Sequence, residues 1–344
     1  MNHVAIDLGS KESQVCMRDK DGKILVEKKC PTRKLGAWMT EWSSSRVILE
    51  TSSEAFKIAD QARAAGHQVR VVPATLARQL GVGERGVKTD ERDARKLSEV
   101  SCRIELPSVH IPSPAARDLR SLVRSREMLI SMRTMSINHV RGWLRTQLGK
   151  LRKGSTTTFP DRIRARAAEN KQTIPGHIEQ VLVVIDALNV QLLAAQRQVN
   201  QLAKASPVCV LLMSMPGIGP VTALTFVAAI DDISRFEHAY QLTSYVGLTP
   251  GENSSSERER RTGITKAGST SVRRTLIQAA WAAIRYSPND PMVRWAKQIA
   301  DRRGKFIAVV ALARKMAGIM FALWRDSTTY RSSQAALAPT TALA

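Results

Sequence analysis

The order of the predicted elements in the first third of the chain constrains the fold more than any other feature of the sequence. Three short strands come first, and an Asp21-Gly22 turn joins the second to the third. Strands and helices then alternate. The predicted strands are 4–6, 14–18, 23–28, 47–49 and 68–72, and the predicted helices are 53–65 and 90–100. This order is typical of the RNase H-like fold, so we predict an α/β unit of that class over residues 1–105.

Four acidic residues lie where such a fold would bring them together. Asp7 follows the first strand, Glu50 follows the fourth, and Asp90 and Asp93 open the last helix. Carboxylates at strand ends and an i,i+3 pair on one helical face can meet in a single cluster. Such a cluster repels itself unless cations neutralise it, and hard carboxylate oxygens suit Mg²⁺. We therefore predict a Mg²⁺ site of the kind used in phosphodiester chemistry, although each acid taken alone could be a solvated loop charge.

The charge of the chain points to a polyanionic partner. Lys and Arg number 52 against 30 Asp and Glu, which gives a formal net charge of +22. Binding through such a surplus should weaken steeply with salt. Anionic membrane is the alternative, but the sequence has no lipid-anchor motif, and Pro216 and Pro220 break the uncharged segment 210–230 into two predicted short buried helices. DNA or RNA is therefore the expected partner, without membrane association.

Cysteine usage and the start of the chain predict a cytoplasmic protein. The four cysteines are scattered, without a CxxC pair or a His at ligand spacing: Cys16, Cys30, Cys102 and Cys209. That distribution argues against a zinc site and against a disulfide framework, and it fits a reducing compartment. The sequence opens on a strand and shows no basic-then-apolar leader.

The middle of the chain is predicted to be helical and strongly basic. Residues 113–151 have helical periodicity, and arginines recur at Arg117, Arg120, Arg124, Arg133, Arg141 and Arg145. Such a helix either presents a solvated face or follows a nucleic-acid backbone. Residues 153–173 are rich in Thr, Arg and Lys with weak periodicity, and we predict a linker there.

The segment 178–202 has the clearest apolar repeat in the sequence. Apolar residues recur at alternating spacings of three and four: Ile178, Val181, Ile185, Leu188, Leu192, Ala195, Val199 and Leu202. This repeat predicts a narrow coiled-coil seam that pairs chains into a dimer or tetramer. The alternative is a helix packed within its own domain.

Two glycine-rich segments in the last third carry the remaining motifs. The segment 216–220 resembles a helix-hairpin-helix turn, in which Gly217 and Gly219 would expose backbone N–H groups to a DNA phosphate. Further on, a serine run is followed by cations that could bind the phosphate a serine attacks. The serines are Ser254, Ser255 and Ser256, and the cations are Arg258, Arg260, Arg261, Lys266, Arg273 and Arg274. No His lies nearby to act as a base, which disfavours a hydrolase triad, and serine runs are most often solvated linkers.

Taken in order, these motifs resemble the insertion sequence 110 family of transposases, DEDD/serine recombinases whose studied members are guided by a bridge RNA. The resemblance covers most of the chain. It rests on Asp7, on Glu50 in the segment 48–51, and on the segments 88–94, 216–220, 247–250, 254–255 and 263–268. It implies that Asp7, Glu50, Asp90 and Asp93 are the acidic tetrad of the family. It also implies that Ser255, nine places into the Gly-Leu-x-Pro motif, is the nucleophile. The serine of the family usually precedes a glycine, where this chain has Ser256, so Ser254 and Ser256 stay as candidates.

The resemblance implies a bacterial recombinase that acts on donor and target DNA through a covalent serine–DNA intermediate, assisted by Mg²⁺ and guided by a bridge RNA. The sequence as a whole predicts four parts. These are a RuvC-like catalytic domain over 1–105, basic helices, a linker and a coiled coil over 106–206, a mainly helical serine-bearing domain over 207–330, and a disordered tail over 331–344.

Three other classes share some of these features. A Holliday-junction nuclease of the RuvC type would have the same fold, acids and charge, but would need neither the serine nor the second half of the chain. A non-enzymatic nucleic-acid-binding protein gives no reason for four convergent acids. Sugar-kinase and actin-like ATPases share the turn at 7–10, but should show a second Asp-x-Gly phosphate loop, and the sequence has none.

Overall fold

The chain divides into two compact units, Met1–Pro112 and Ser113–Ala344. The computed structural model describes residues 1–79, 90–147, 149, 151–252 and 261–332, and the side chains of residues 77–79, Asp90 and Arg261 also lie outside the description. The first boundary lies close to the one predicted after residue 105. The predicted tail over 331–344 lies almost wholly outside the described residues.

The first unit is built on one mixed sheet. Its strands are β1 (Asn2–Asp7), β2 (Glu12–Arg18), β3 (Ile24–Pro31), β4 (Ser45–Glu50) and β5 (Gln68–Val72). They lie in the order β3-β2-β1-β4-β5. β1, β2 and β3 pair antiparallel, whereas β4 and β5 run parallel to β1. Each strand overlaps a predicted one, and the order confirms the RNase H-like class predicted for this unit.

Helices cover both faces of the sheet. The described ones are α1 (Leu35–Met39), α2 (Ala55–Ala64), α3 (Ala74–Gln79) and α4 (Asp90–Arg103). Alternate strand residues point to opposite faces, so the sheet feeds two cores. Val4 and Ile6 pack on the side of α1 and α2. Ala5 and Ile48 pack on the other side, against Leu97 of α4. Burial on both faces makes β1 and β4 continuous apolar runs, which is why their sequences predicted strands.

The second unit is mainly helical. Its elements are α5 (Pro114–Gln147), α6 (Phe159–Glu169), α7 (Gly176–Ala205), α8 (Pro207–Met213), α9 (Pro220–Ile230), α10 (Ala239–Tyr245), β6 (Pro250–Glu252), β7 (Arg261–Ile264), α11 (Thr270–Tyr286), α12 (Pro291–Arg303) and α13 (Lys305–Arg325). One core joins Val123 of α5 and Val199 of α7 to Leu224, Leu276 and Met316. The helices before and after residue 206 therefore share a core, although the sequence predicts a domain boundary there.

The predicted linker at 153–173 contains α6. Phe159, Ile163 and Ala167 are buried at a spacing of four, in a cluster with Val140 of α5 and Ile178 of α7. The linker prediction is wrong for this helix because one narrow apolar stripe is enough to seat it, while its remaining positions are mostly Arg, Ala and acid.

The predicted coiled-coil seam is buried within the chain. Five of its eight residues are buried on α7, which packs along α5: Ile178, Ile185, Leu188, Leu192 and Val199. Because these side chains already have partners inside the unit, the prediction that they form an intermolecular seam is wrong. The structure instead matches the alternative of a helix packed within its own domain.

Two of the arginines predicted on the basic helix serve packing instead of a free basic face. Arg120 donates from Nε to the carbonyl oxygen of Ala228 at 2.6 Å and from Nη2 to that of Ala229 at 2.9 Å, near the end of α9. Burial lowers the pKa of the Arg120 guanidinium. Arg133 donates to Asn189 Oδ1 of α7 at 3.0 Å. These two guanidinium groups therefore help to hold α5 against its neighbours.

The segment 210–230 forms two short helices, α8 and α9, as predicted. Among the described residues, α7 and α13 are the helices long and apolar enough to cross a membrane, judged by length and composition alone. Core helices pass the same test, and half of the apolar window of α13 is buried in the unit, including Leu312, Met316 and Met320.

The turn between α8 and α9 depends on close packing at Gly217. Gly217 has φ +84°, and a Cβ there would lie 2.3 Å from the carbonyl oxygen of Ala279 on α11. Gly219 has φ −102° and open space around its Cα. The two glycines of the hairpin therefore differ, because Gly217 is required by packing and by backbone conformation, whereas Gly219 is not.

Replacing Gly217 by Ala should lower the free energy of unfolding by about 2–4 kcal/mol, because the new methyl group adds a steric clash to backbone strain. Gly219→Ala is the matched control and should cost less than about 1 kcal/mol. Urea denaturation of the full chain measures both. Equal losses for the two variants would contradict the packing role of Gly217.

Candidate active site

Asp7 and Glu50 lie at the carboxyl ends of neighbouring parallel strands. β1 and β4 pair in register as far as Ile6 opposite Leu49, so Asp7 and Glu50 come next on the two strands. Asp7 lies two residues after Ala5, and Glu50 lies two residues after Ile48. The side chains of Ala5 and Ile48 both pack toward α4. Residues two apart share one face of a sheet. The two carboxylates therefore lie on the α4 face, on strands about 4.8 Å apart.

A tight turn ends β1 immediately after Asp7. A Cβ at Gly9 would lie 2.2 Å from the carbonyl oxygen of Glu12, so only glycine fits this turn. Thr32 Oγ1 donates to the carbonyl oxygen of Gly9 at 2.7 Å and forms a second 2.7 Å hydrogen bond with Ser13 Oγ. These contacts keep Asp7, which is half-buried, at the end of its strand.

Hydrogen bonds between α4 and the sheet set the direction of the helix. His3 Nδ1 and Ser101 Oγ are 2.7 Å apart, and Arg18 Nε donates to Ser98 Oγ at 3.0 Å. Ser98 Oγ also donates to Cys16 Sγ at 3.3 Å. Burial, followed by the charge of Arg46, lowers the pKa of His3, so its imidazole is neutral at pH 7. α4 therefore lies across β1 and β2 with its C-terminal half beside the start of β1.

This direction places Asp93 level with Asp7. From Ser101 back to Asp93 the helix rises about 12 Å at 1.5 Å per residue, while β1 from His3 to Asp7 extends about 13 Å at 3.3 Å per residue. Asp93 precedes Leu97 by one helical turn, and Leu97 packs on the sheet. Asp93 is only 5% exposed. Asp93 thus lies at the level of the strand ends that carry Asp7 and Glu50, while the convergence of these acids on one metal site stays a prediction.

The fourth predicted acid begins α4. Asp90 stands three residues before Asp93, and its side chain lies outside the described residues. Among the side chains that are described, no three His, Cys, Asp or Glu residues are close enough to form a metal site. The donor set is composed of carboxylates alone, which is the chemistry that suits a hard cation such as Mg²⁺.

Gln14 is a neighbour of this edge that sequence reasoning missed. It pairs directly with Asp7 across β1 and β2, and it is 5% exposed. Cys16, two residues further on, faces Ser98 of α4, so Gln14 lies on the same face as Asp7. An amide directly before the apolar run 15–17 was the available signal. Its neutral donor group can orient a carboxylate without neutralising it.

The serine-bearing loop joins two short strands of the second unit. β6 and β7 pair antiparallel, with Pro250 opposite Ile264 and Glu252 opposite Arg261. Residues 253–260 lie outside the described residues. They include the three candidate serines and two of the predicted cations: Ser254, Ser255, Ser256, Arg258 and Arg260. The base of the loop is described, whereas the predicted nucleophile is not.

Two glycines hold the base of this hairpin against the start of α11. A Cβ at Gly247 would lie 2.2 Å from the carbonyl oxygen of Ala267, and one at Gly268 would lie 2.1 Å from that of Tyr245. Both residues have positive φ, of +72° and +67°. The backbones approach so closely that only glycine is accommodated at either position.

Arg273 is a structural residue of this base, which corrects its predicted role. It is only 8% exposed. Its Nη1 donates to the carbonyl oxygens of Val246 and Gly268, each at 3.2 Å, and to that of Ala267. The prediction that Arg273 binds nucleic acid is wrong, because a buried guanidinium with three carbonyl partners cannot reach a phosphate. Arg274 is half-exposed and pairs with Glu127 at 3.4 Å, and Lys266 is exposed.

Two family models match the chain in order. The DEDD transposase model of IS110 elements matches residues 4–147, and a model described as the transposase IS116/IS110/IS902 family matches residues 209–293. The first match spans the acidic edge, and the second spans the hairpin at 216–220 and the serine loop.

Curated relatives extend over nearly the whole chain. The transposase for insertion sequence element IS1111A of Coxiella burnetii is 27% identical, over 95% of this chain and 91% of its own length. The transposase for insertion sequence element IS1328 of Yersinia enterocolitica is 22% identical, over 95% of this chain and 98% of its own. A relative named y4qE from Sinorhizobium fredii is 30% identical, over 77% of this chain and 71% of its own length. Since both family models and these relatives agree over both units, the chain belongs to the IS110 family and is a DNA transposase of an insertion sequence.

Proposed function

We propose that this transposase cuts and rejoins DNA through a covalent bond between Ser255 and a DNA end, assisted by Mg²⁺ at Asp7, Glu50, Asp90 and Asp93. The observation that carries the proposal is the placement of Asp7 and Glu50 at the carboxyl ends of neighbouring parallel strands, on the sheet face that α4 covers. Carboxylates gathered at such an edge repel one another unless a cation neutralises them. Divalent ions bound there would stabilise charge on the attacking and leaving oxygens of a phosphodiester.

The serine step conserves the energy of the DNA backbone. Ser255 Oγ would attack the phosphorus and lose its proton, while the bond from phosphorus to one DNA oxygen breaks and that oxygen gains a proton. The product is a phosphoserine diester and a free DNA hydroxyl. Attack by a hydroxyl of another strand reverses the step and releases the serine. Strands can thus be exchanged without ATP, and the sequence has no nucleotide-binding loop.

The base of the serine hairpin supports this role. Gly247, Gly268 and Arg273 hold the base of the hairpin on the start of α11, which gives the segment that carries the serines a fixed point of attachment. Lys266 and Arg274 are exposed beside it and can bind phosphate. The half-exposed turn at Gly219 can add backbone N–H donors to phosphate.

Replacing Asp93 by Asn should reduce strand transfer by at least about 100-fold, because a metal ligand is lost. Mg²⁺ should raise the thermal unfolding temperature of the wild type and leave that of Asp93→Asn unchanged. In EDTA the variant should be at least as stable as the wild type, because one carboxylate repulsion has been removed.

Glu99→Gln is the matched control for this test. It makes the same charge change on the same helix, about 9 Å from Asp93, at a carboxylate that pairs with Arg103. It should keep both activity and the response to Mg²⁺. Full activity of Asp93→Asn, or an equal loss in Glu99→Gln, would refute the metal site.

Replacing Ser255 by Ala should reduce strand transfer by at least about 1,000-fold and leave DNA binding unchanged, because only the bond-forming atom is removed. Ser254→Ala and Ser256→Ala are matched controls from the same loop and should stay active. Mass spectrometry of the nuclease-trimmed covalent complex should locate the adduct on Ser255.

A second candidate is a metal-dependent, structure-specific DNA nuclease of the RuvC type, which hydrolyses DNA without a covalent intermediate. It is favoured by one observation, since the predicted acidic tetrad lies entirely within the first unit. DNA hydrolysis by Ser255→Ala at the wild-type rate, with no adduct on any serine, would establish this candidate in place of the recombinase.

We further propose that a structured bridge RNA copied from the element guides the choice of DNA. The support is the net charge of +22 in a sequence without a recognised base-reading motif such as a zinc finger. RNA purified with the protein from cells should, when sequenced, be enriched in transcripts of the element. Recovery of ribosomal and transfer RNA alone would count against guidance.

The dimer or tetramer predicted from the sequence stays a proposal, now on a different surface. Because the seam is buried, chains would pair through the solvent-facing side of α7, where Val183, Val190 and Leu193 are 56%, 64% and 54% exposed. Exposed apolar residues in a row on a long helix are typical of a helix-pairing surface.

A further inference from the structure

One surface of the second unit combines exposed aromatic rings with cations. Trp281 and Tyr286 lie on α11, and Phe306 lies at the start of α13. They are 41%, 74% and 82% exposed, whereas Phe226 and Phe321 of the same unit are buried. Trp281 and Phe306 are in contact, and we call this pair the aromatic patch. Two exposed rings in contact across two helices are more than the scattered apolar residues of an ordinary surface.

The contact between the two rings of the patch leaves ring faces that the partner ring does not cover. The centroids of Trp281 and Phe306 are 6.4 Å apart with planes at 81°, an edge-to-face contact. In such a pair, one ring keeps both faces free and the other keeps one. Arg285 lies over the ring of Tyr286, with its Cζ 5.4 Å from the centroid. The patch therefore offers flat π surfaces that a planar ligand can stack on.

Cations border the patch on the turn between α12 and α13. Arg302, Arg303 and Lys305 are exposed, and Asp301 is the one acid of this segment. Gly304 has φ +89°, which lets α13 begin one residue after α12 ends. The tight turn thus brings three positive charges within four residues of Phe306. Purely apolar partners would gain nothing from these charges, whereas an anionic chain that carries planar groups would use both.

The solvent-facing side of α11 connects the patch to the serine hairpin. Arg274, Trp281 and Arg285 follow at i, i+7 and i+11, so they share one face of the helix. This face begins where the base of the hairpin packs on α11 and extends about 16 Å to Arg285. A strand bound near the hairpin could follow α11 to the patch.

We propose that the aromatic patch binds unpaired nucleotides, with bases stacked on Phe306 and Trp281 and phosphates contacted by Arg285, Arg302, Arg303 and Lys305. Stacking on aromatic side chains beside cations is the general mode of single-strand binding, and it tolerates any base sequence. A duplex would not fit, because its base faces are already stacked. The proposal rests on the transposase function, since strand exchange creates unpaired segments.

The test measures binding by fluorescence anisotropy with the full chain and three labelled 12-mers, oligo-dT, oligo-U and duplex DNA. Phe306→Ala should weaken binding of the single strands about 5- to 150-fold, the range for loss of one base stack, and change duplex binding less than about 2-fold. Phe306→Leu, which keeps apolar bulk without a ring, should be weakened as well. Tyr240→Ala is the matched control, because Tyr240 is a 64% exposed aromatic residue on α10 of the same unit.

The outcomes separate the occupants of the patch. Weaker binding of oligo-dT, of oligo-U or of both by Phe306→Ala supports the patch. It also identifies the bound strand as DNA, as RNA or as either of them. Equal weakening of duplex and single strands, or none, overturns the proposal. So does a smaller mass by light scattering in Phe306→Ala with unchanged single-strand binding, because a second copy of the chain would then cover the patch. Ser255→Ala should still bind single strands, so failure of the serine mechanism and failure of the patch give different results.

Discussion

The parallel pairing of β1 with β4 is the constraint on which the acidic edge depends. It brings two strand ends from distant parts of the sequence together and puts Asp7 and Glu50 on the same face. A slip of one residue in this register would turn one of the two carboxylates to the opposite face, toward α1 and α2. The register is protected because both strands are buried on both faces, so a slip would also misplace Val4, Ala5 and Ile6 in two cores at once.

The position of α4 adds the second requirement. Polar contacts in its C-terminal half, between Ser101 and His3 and between Ser98 and Cys16, set how far the helix extends toward the edge. Asp93, a predicted metal ligand, lies near the opposite end of the helix. The contacts that α4 makes at one end of the sheet therefore also determine the level of Asp93 along β1.

The second unit holds its functional segments by a different principle. Its strands are short, and the serine hairpin is anchored by close backbone approaches at Gly247 and Gly268 and by the buried guanidinium of Arg273. These contacts hold the two strands at the base of the hairpin against the start of α11. In the aromatic patch, by contrast, large rings remain on the surface, although the other faces of α11 and α13 are buried in the core.

The sequence by itself determined the RNase H-like order of strands and the place of the acids along the chain. Buried parallel strands are continuous apolar runs in a sequence, and in this chain an acidic residue follows two of these runs. It also determined the two short helices on either side of Pro216 and Pro220. Tertiary structure alone decided which partner covers an apolar stripe. The repeat at Ile178 and Leu192 looks the same whether α5 or another chain covers it. Likewise Arg273 and Arg274 are adjacent in sequence, and only packing buries one and exposes the other. Local pattern records the spacing of side chains, whereas burial depends on contacts between segments far apart in the chain.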